Sequence, residues 1–131
     1  MQIDHVGIAV KSLSATIPKW EKLLGAPAST PEVVASQRVR VSFLEVGSTH
    51  MELVEPTGPD SPVSRFIASR GEGMHHVAFA VPSVNEQLAD LVRRGERVID
   101  REGRPGARGR IVGFAHPSAF AGVLVEFVEH R

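Results

Sequence analysis

Two stretches of this chain are near-copies of one another. Asp4-His5-Val6-Gly7-Ile8-Ala9-Val10 is echoed by His75-His76-Val77-Ala78-Phe79-Ala80-Val81, and Glu52-Leu53-Val54-Glu55 by Glu126-Phe127-Val128-Glu129. His5 precedes Glu52 by 47 residues, and His76 precedes Glu126 by 50. Repetition at such an interval means two copies of one supersecondary unit. Each copy brings one histidine and one glutamate to the same relative places. Two half-sites converging on one metal ion, with four nitrogen and oxygen donors, are the simplest reading.

Side-chain alternation sharpens this reading. Neighbouring side chains of a strand point to opposite faces. Val6, Ile8 and Val10 then share one face, against His5, Gly7 and Ala9; in the second copy Val77, Phe79 and Val81 oppose His76, Ala78 and Ala80. The bulky apolar face suits a covering helix. The histidine face carries small residues and leaves space in front of the imidazole, as a pocket floor requires.

The chain has 131 residues, enough for one compact domain or two very small fused ones, and 42% of them are hydrophobic, enough for a core. Formal net charge is zero, so bulk electrostatics supply no case for nucleic acid or an anionic membrane. With no cysteine, disulfides, zinc–thiolate sites and cysteine nucleophiles are excluded. Tyrosine is absent too, which leaves His, Glu, Asp or Lys for acid–base work. No apolar run is long enough to span a bilayer, and a strand pattern from residue 2 leaves no room for a signal peptide, so a cytoplasmic protein is expected.

Pattern and punctuation give the element order. A strand at 2–10 is followed by a helix at about 14–24, with Leu13, Ile17, Trp20 and Leu24 on one stripe and Gly25 as its stop. Pro18 implies that this helix starts late, with the proline near its first turn. Strands at 38–46 and 50–55 flank a turn at Gly47-Ser48-Thr49. A short helix at about 62–70 links the halves. Strand 75–81 then leads into Ser83-Val84-Asn85-Glu86, a capping box for a helix at 84–94 with Leu88, Leu91 and Val92 buried. Strands near 97–100, 110–115 and 122–128 complete the second half, with a glycine- and arginine-rich loop at 103–110. The expected fold is α+β: two tandem βαβββ modules, at about 1–58 and 73–131, joined by a linker helix at about 59–72. Their sheet is expected to be mixed and curved around a metal-containing cleft.

Paired modules of this kind resemble the vicinal oxygen chelate superfamily, and within it the chain is similar to the methylmalonyl-CoA epimerases over nearly its whole length. The resemblance is carried by Asp4–Val10, Met51-Glu52-Leu53-Val54-Glu55-Pro56, Asp60-Ser61-Pro62, Gly73-Met74-His75-His76-Val77, Gly106-Ala107-Arg108-Gly109, His116-Pro117 and Gly122-Val123-Leu124-Val125-Glu126. It implies one divalent metal ion (Co, Mn, Ni, Fe or Zn) held by His5, Glu52, His76 and Glu126. It also implies a CoA thioester substrate, a homodimer, and Glu126 as one catalytic base. The resemblance further implies that the metal would act as a Lewis acid, stabilising an enolate during 1,1-proton transfer. The chain departs from the family at Ser36, which stands where the family carries a catalytic glutamate; Glu32 lies four residues earlier. Ser36, Arg38, His116 and Arg108 are further candidates for substrate contact, Arg108 through a CoA phosphate. Glu55 and Glu129 are expected to be solvated, and His75 to turn away from His76. The competing readings are a glyoxalase-like isomerase and a small-molecule binding module without chemistry.

Overall fold

The protein is described by a computed structural model that covers residues 1–130. Its strands are β1 (Gln2–Ala9), β2 (Glu32–Val34), β3 (Val39–Val46), β4 (Thr49–Pro56), β5 (Gly73–Ala80), β6 (Arg104–Pro105), β7 (Ile111–Ala115) and β8 (Val125–Glu129). Its helices are α1 (Leu13–Leu24), α2 (Pro62–Arg70) and α3 (Val84–Arg93). The fold is α+β, with parallel and antiparallel pairing. Two compact units make up the chain, one of His5–His75 and one of Met1–Asp4 with the residues from His76 onward.

In the His5–His75 unit, β4 pairs with β1 in parallel and with β3 antiparallel, and β2 pairs antiparallel on the outer side of β3. The β3–β4 hairpin closes through Gly47-Ser48, with Gly47 at φ 59°, a left-handed conformation that glycine adopts without strain. Ile8, Val10, Leu44 and Leu53 form a core that packs against Leu13, Ile17, Trp20 and Leu24 of α1. The apolar stripe of the helix and the apolar face of the strand therefore meet as their periods require.

The helix begins earlier than Pro18 suggests. Ser12 accepts a hydrogen bond from the Ala15 N–H, so α1 starts at Leu13 and Pro18 lies inside it. The proline forfeits one hydrogen bond to the carbonyl a turn back, and the cap at Ser12 fixes the start regardless. A second difference is β2, a three-residue edge strand too short for any alternation to show.

The other unit repeats the plan. β5 and β8 pair in parallel, β8 and β7 antiparallel, and β6 lies outermost on β7. Val81, Ala115, Val125 and Phe127 pack against Val84, Leu88 and Leu91 of α3. Ser83 caps α3 by accepting the Glu86 N–H, as the sequence indicates. α3 lies so close to β7 that a Cβ on Gly113 would sit 2.8 Å from Leu88 Cδ1 and 2.9 Å from Val84 Cγ1. The strand expected near 97–100 is only a single bridge, Val98 to Ala115. Ile99 and Asp100 both donate to the Phe114 carbonyl, which is incompatible with an extended ladder. Pairing resumes at Arg104–Pro105, inside the segment expected to be loop, where Pro105 is tolerated because β6 is an edge.

Candidate metal centre

In the His5–His75 unit, His5 comes from β1 and Glu52 from β4. The parallel register sets Gly7 opposite Glu52, so no side chain on β1 blocks the carboxylate. His5 Nε2 and Glu52 Oε1 are 3.4 Å apart, and both side chains are almost wholly buried. Phe43, directly across β3–β4 from Glu52, holds the imidazole edge to face at a centroid distance of 5.9 Å.

The second unit builds the same pair again. His76 Nε2 lies 3.0 Å from Glu126 Oε1, again with both side chains buried. Ala78 is opposite Glu126 on β5, and Phe114 is opposite it on β7. Phe114 meets the His76 ring at 5.9 Å with an interplanar angle of 82°. Strand, register and aromatic support are thus repeated element by element. A buried carboxylate needs a counter-charge, because desolvation penalises the ionised form. A neutral imidazole nitrogen beside a carboxylate oxygen is also the donor set that intermediate divalent cations take. Each half-site therefore fits a metal ion on its own chemistry.

The second glutamate of each copy has a different task. Glu55 Oε2 accepts the Leu13 N–H at 2.7 Å, and Glu129 Oε1 accepts the Val84 N–H at 2.8 Å. These are the first residues of α1 and α3. Both carboxylates thus cap a helix N-terminus and meet its positive end, contrary to the expectation that they are solvated. Strand alternation sends them away from the ligand face, and the crossover helix starts beside them.

Comparison with known proteins agrees with this arrangement. Residues 4–114 match the Glyoxalase/Bleomycin resistance protein/Dioxygenase superfamily. The chain is 41% identical to the uncharacterized protein YqjC of Bacillus subtilis, covering 99% of this chain and 93% of that one. It is 37% identical to the mitochondrial methylmalonyl-CoA epimerase of Bos taurus, over 95% of this chain and 72% of that protein. A variant of Streptomyces coelicolor methylmalonyl-CoA epimerase in complex with 2-nitronate-propionyl-CoA superposes with a TM-score of 0.93 at 37% identity, over 98% of this chain and 94% of that one. The chain belongs to the methylmalonyl-CoA epimerase family.

The remaining candidates of this epimerase-family chain are placed as follows. Ser36 is exposed, in a 3-10 turn at Ala35–Gln37. Arg38 follows at φ 56°, and its guanidinium pairs with Asp60 at 3.4 Å. Arg108 is exposed in the turn Ala107–Gly109. His116 caps the turn Pro117–Phe120, its Nδ1 accepting the Ser118 N–H at 3.0 Å. That bond puts the ring proton of a neutral His116 on Nε2. His75 packs on Phe66 at 4.8 Å, as its alternation from His76 requires. His130 is half exposed and bonds Asp4 at 2.7 Å.

Two residues gain a place that the sequence did not give them. Glu32 is opposite Val41 on β3, and Val41 is opposite Val54 on β4. Residues directly opposite each other share a face, so Glu32 lies on the same side as Phe43 and Glu52. Arg104 is opposite Val112 in the other unit, on the side of Phe114 and Glu126. Neither was legible in the sequence, because strands of three and two residues have no readable period.

Proposed function

We propose that the protein is a metal-dependent epimerase of a malonyl-type CoA thioester, methylmalonyl-CoA, with one divalent ion held by His5, Glu52, His76 and Glu126. The observation that carries the proposal is the twice-built buried His–Glu pair, at 3.4 and 3.0 Å, in a chain of this family. An ion bound there supplies Lewis acidity where negative charge develops beside the substrate carbonyl. The chain's own residues then handle the proton. Glu126 is the base on one face of the α-carbon, taking the proton onto a carboxylate oxygen. Ser36 is not the base on the other face, because an unactivated serine hydroxyl is too weakly acidic. Glu32 is assigned that part, since its register turns it to the ligand side of its unit. Ser36, Arg38, Arg108 and His116 are assigned to substrate contact, Arg108 to a CoA phosphate. A homodimer and a cytoplasmic location belong to the same proposal; no described helix is long and apolar enough to cross a membrane.

The test is exchange of the α-proton of methylmalonyl-CoA in D₂O by the metal-loaded protein. Ser36→Glu, which restores the family residue, is expected to raise the rate by about 10²-fold, as one positioned base typically does. Failure of both proteins to exchange the proton with the metal site full would reject the epimerase reading. The serine at position 36 would then favour the second reading, a binding module that keeps the metal cradle without the chemistry.

A further inference from the structure

We propose that Ser29 and Asp100 are positioning residues for the metal ligands, each holding the backbone of the phenylalanine behind the His–Glu pair of its own unit; this rests on the metal reading above. In the His5–His75 unit, Phe43 is directly across β3–β4 from Glu52. Its N–H donates to Ser29 Oγ at 2.9 Å, and its carbonyl accepts the Ser29 N–H at 2.8 Å. Both backbone groups of Phe43 therefore point away from β4. That makes Phe43 and Glu52 a non-hydrogen-bonded pair, the kind whose Cα atoms approach to about 4.5 Å rather than about 5.5 Å. The ring that holds the His5 imidazole and the ligand carboxylate are thereby brought as close as a sheet permits.

The other unit reaches the same arrangement with a different residue. Phe114, directly across from Glu126, donates its N–H to Asp100 Oδ2 at 2.9 Å. Its carbonyl accepts the Ile99 N–H at 2.9 Å and the Asp100 N–H at 3.2 Å. The same backbone N–H is met by a hydroxyl in one copy and by a carboxylate in the other. What is repeated is the hold on the phenylalanine rather than the residue that provides it. Both phenylalanines are buried, and an unpaired amide there is costly enough to draw its strand out of place. A shifted strand would carry the ring away from His5 or His76, and with it the fixed orientation of the imidazole. Groups that orient a ligand at one remove typically set metal affinity by about 10- to 100-fold. Ser42 steadies the first hold, its Oγ donating to the Ser29 carbonyl at 2.6 Å. The second hold is a charge-assisted bond and the stronger of the two, so Asp100 is the more consequential residue.

Co²⁺ alone is the probe, since its visible d–d absorption reports ligand geometry and a competition titration reports its affinity. Asp100→Ala is expected to weaken Co²⁺ binding by about 10-fold or more and to shift the d–d bands, and Ser29→Ala to do both to a smaller extent. Asp100→Asn keeps an oxygen for the Phe114 N–H and is expected to return affinity and spectrum to near wild type, which a role of charge alone would not allow. Asp100→Glu, whose oxygens sit one methylene further out, serves if the alanine variant does not fold, with the same band shift expected. Wild-type affinity and spectrum in both alanine variants, with only the urea midpoint lowered, would make the two bonds merely structural and overturn the inference. So would an Asp100→Asn variant as impaired as Asp100→Ala. A wild type that takes up no Co²⁺ would instead overturn the metal reading on which the inference rests.

Discussion

The two units repeat each other in their His–Glu pairs and helix caps and differ in their outermost strands. Each has a histidine on its first strand, a glutamate on its last, a phenylalanine behind the pair and a second glutamate capping its helix. Their outermost strands diverge. Opposite Val41 stands Glu32, whereas opposite Val112, its counterpart two residues before the supporting phenylalanine, stands Arg104. The first unit thus carries an anionic side chain at this register position and the second a cationic one. The helix contacts differ as well. Trp20 packs on the first core, while the second uses Leu91 at the equivalent place.

The strongest way to break the comparison is to remove one histidine at a time. His5→Ala and His76→Ala are each expected to lower metal affinity by more than about 10²-fold, above the cost usual for a residue that only orients a ligand. Elemental analysis after gel filtration, with a competition titration, measures this. If one variant kept a full metal complement while the other lost it, the half-sites would not be equivalent.

A smaller but still large effect separates the two cores. Leu88 is fully buried, and Leu88→Ala is expected to cost about 3 kcal/mol in urea unfolding. Ile17 at the matching helix position is only partly buried, so Ile17→Ala should cost less. Equal losses would mean that the second core is no tighter than the first.

The finest distinction concerns the capping glutamates. Glu55→Ala and Glu129→Ala are each expected to cost about 1 kcal/mol, as loss of an N-terminal cap does, with metal content unchanged. Loss of metal in either variant would show that the second glutamate serves the ligand pair rather than the helix.

Much of this protein was legible in its sequence because period and duplication reinforce each other. Eight-residue strands such as β1 and β5 show alternation clearly, and a copied His and Glu mark the same place twice. Faces, helices and the candidate ligands followed from that alone. The capping box at Ser83 was equally clear, since it depends on residues three apart.

What the sequence by itself determined is which side chains face together along each long strand. It could not give what lies across from them. Glu55 and Glu129 read as ordinary exposed acids until the crossover helices place the Leu13 and Val84 N–H groups beside them. Arg104 read as one arginine among many in a turn. Only β6–β7 pairing set it on the ring that supports His76. The physical reason is the same in each case. A hydrogen bond between strands, or between a side chain and a distant helix end, joins residues far apart in the chain. Its partner is chosen by the packing of the whole unit rather than by any local period.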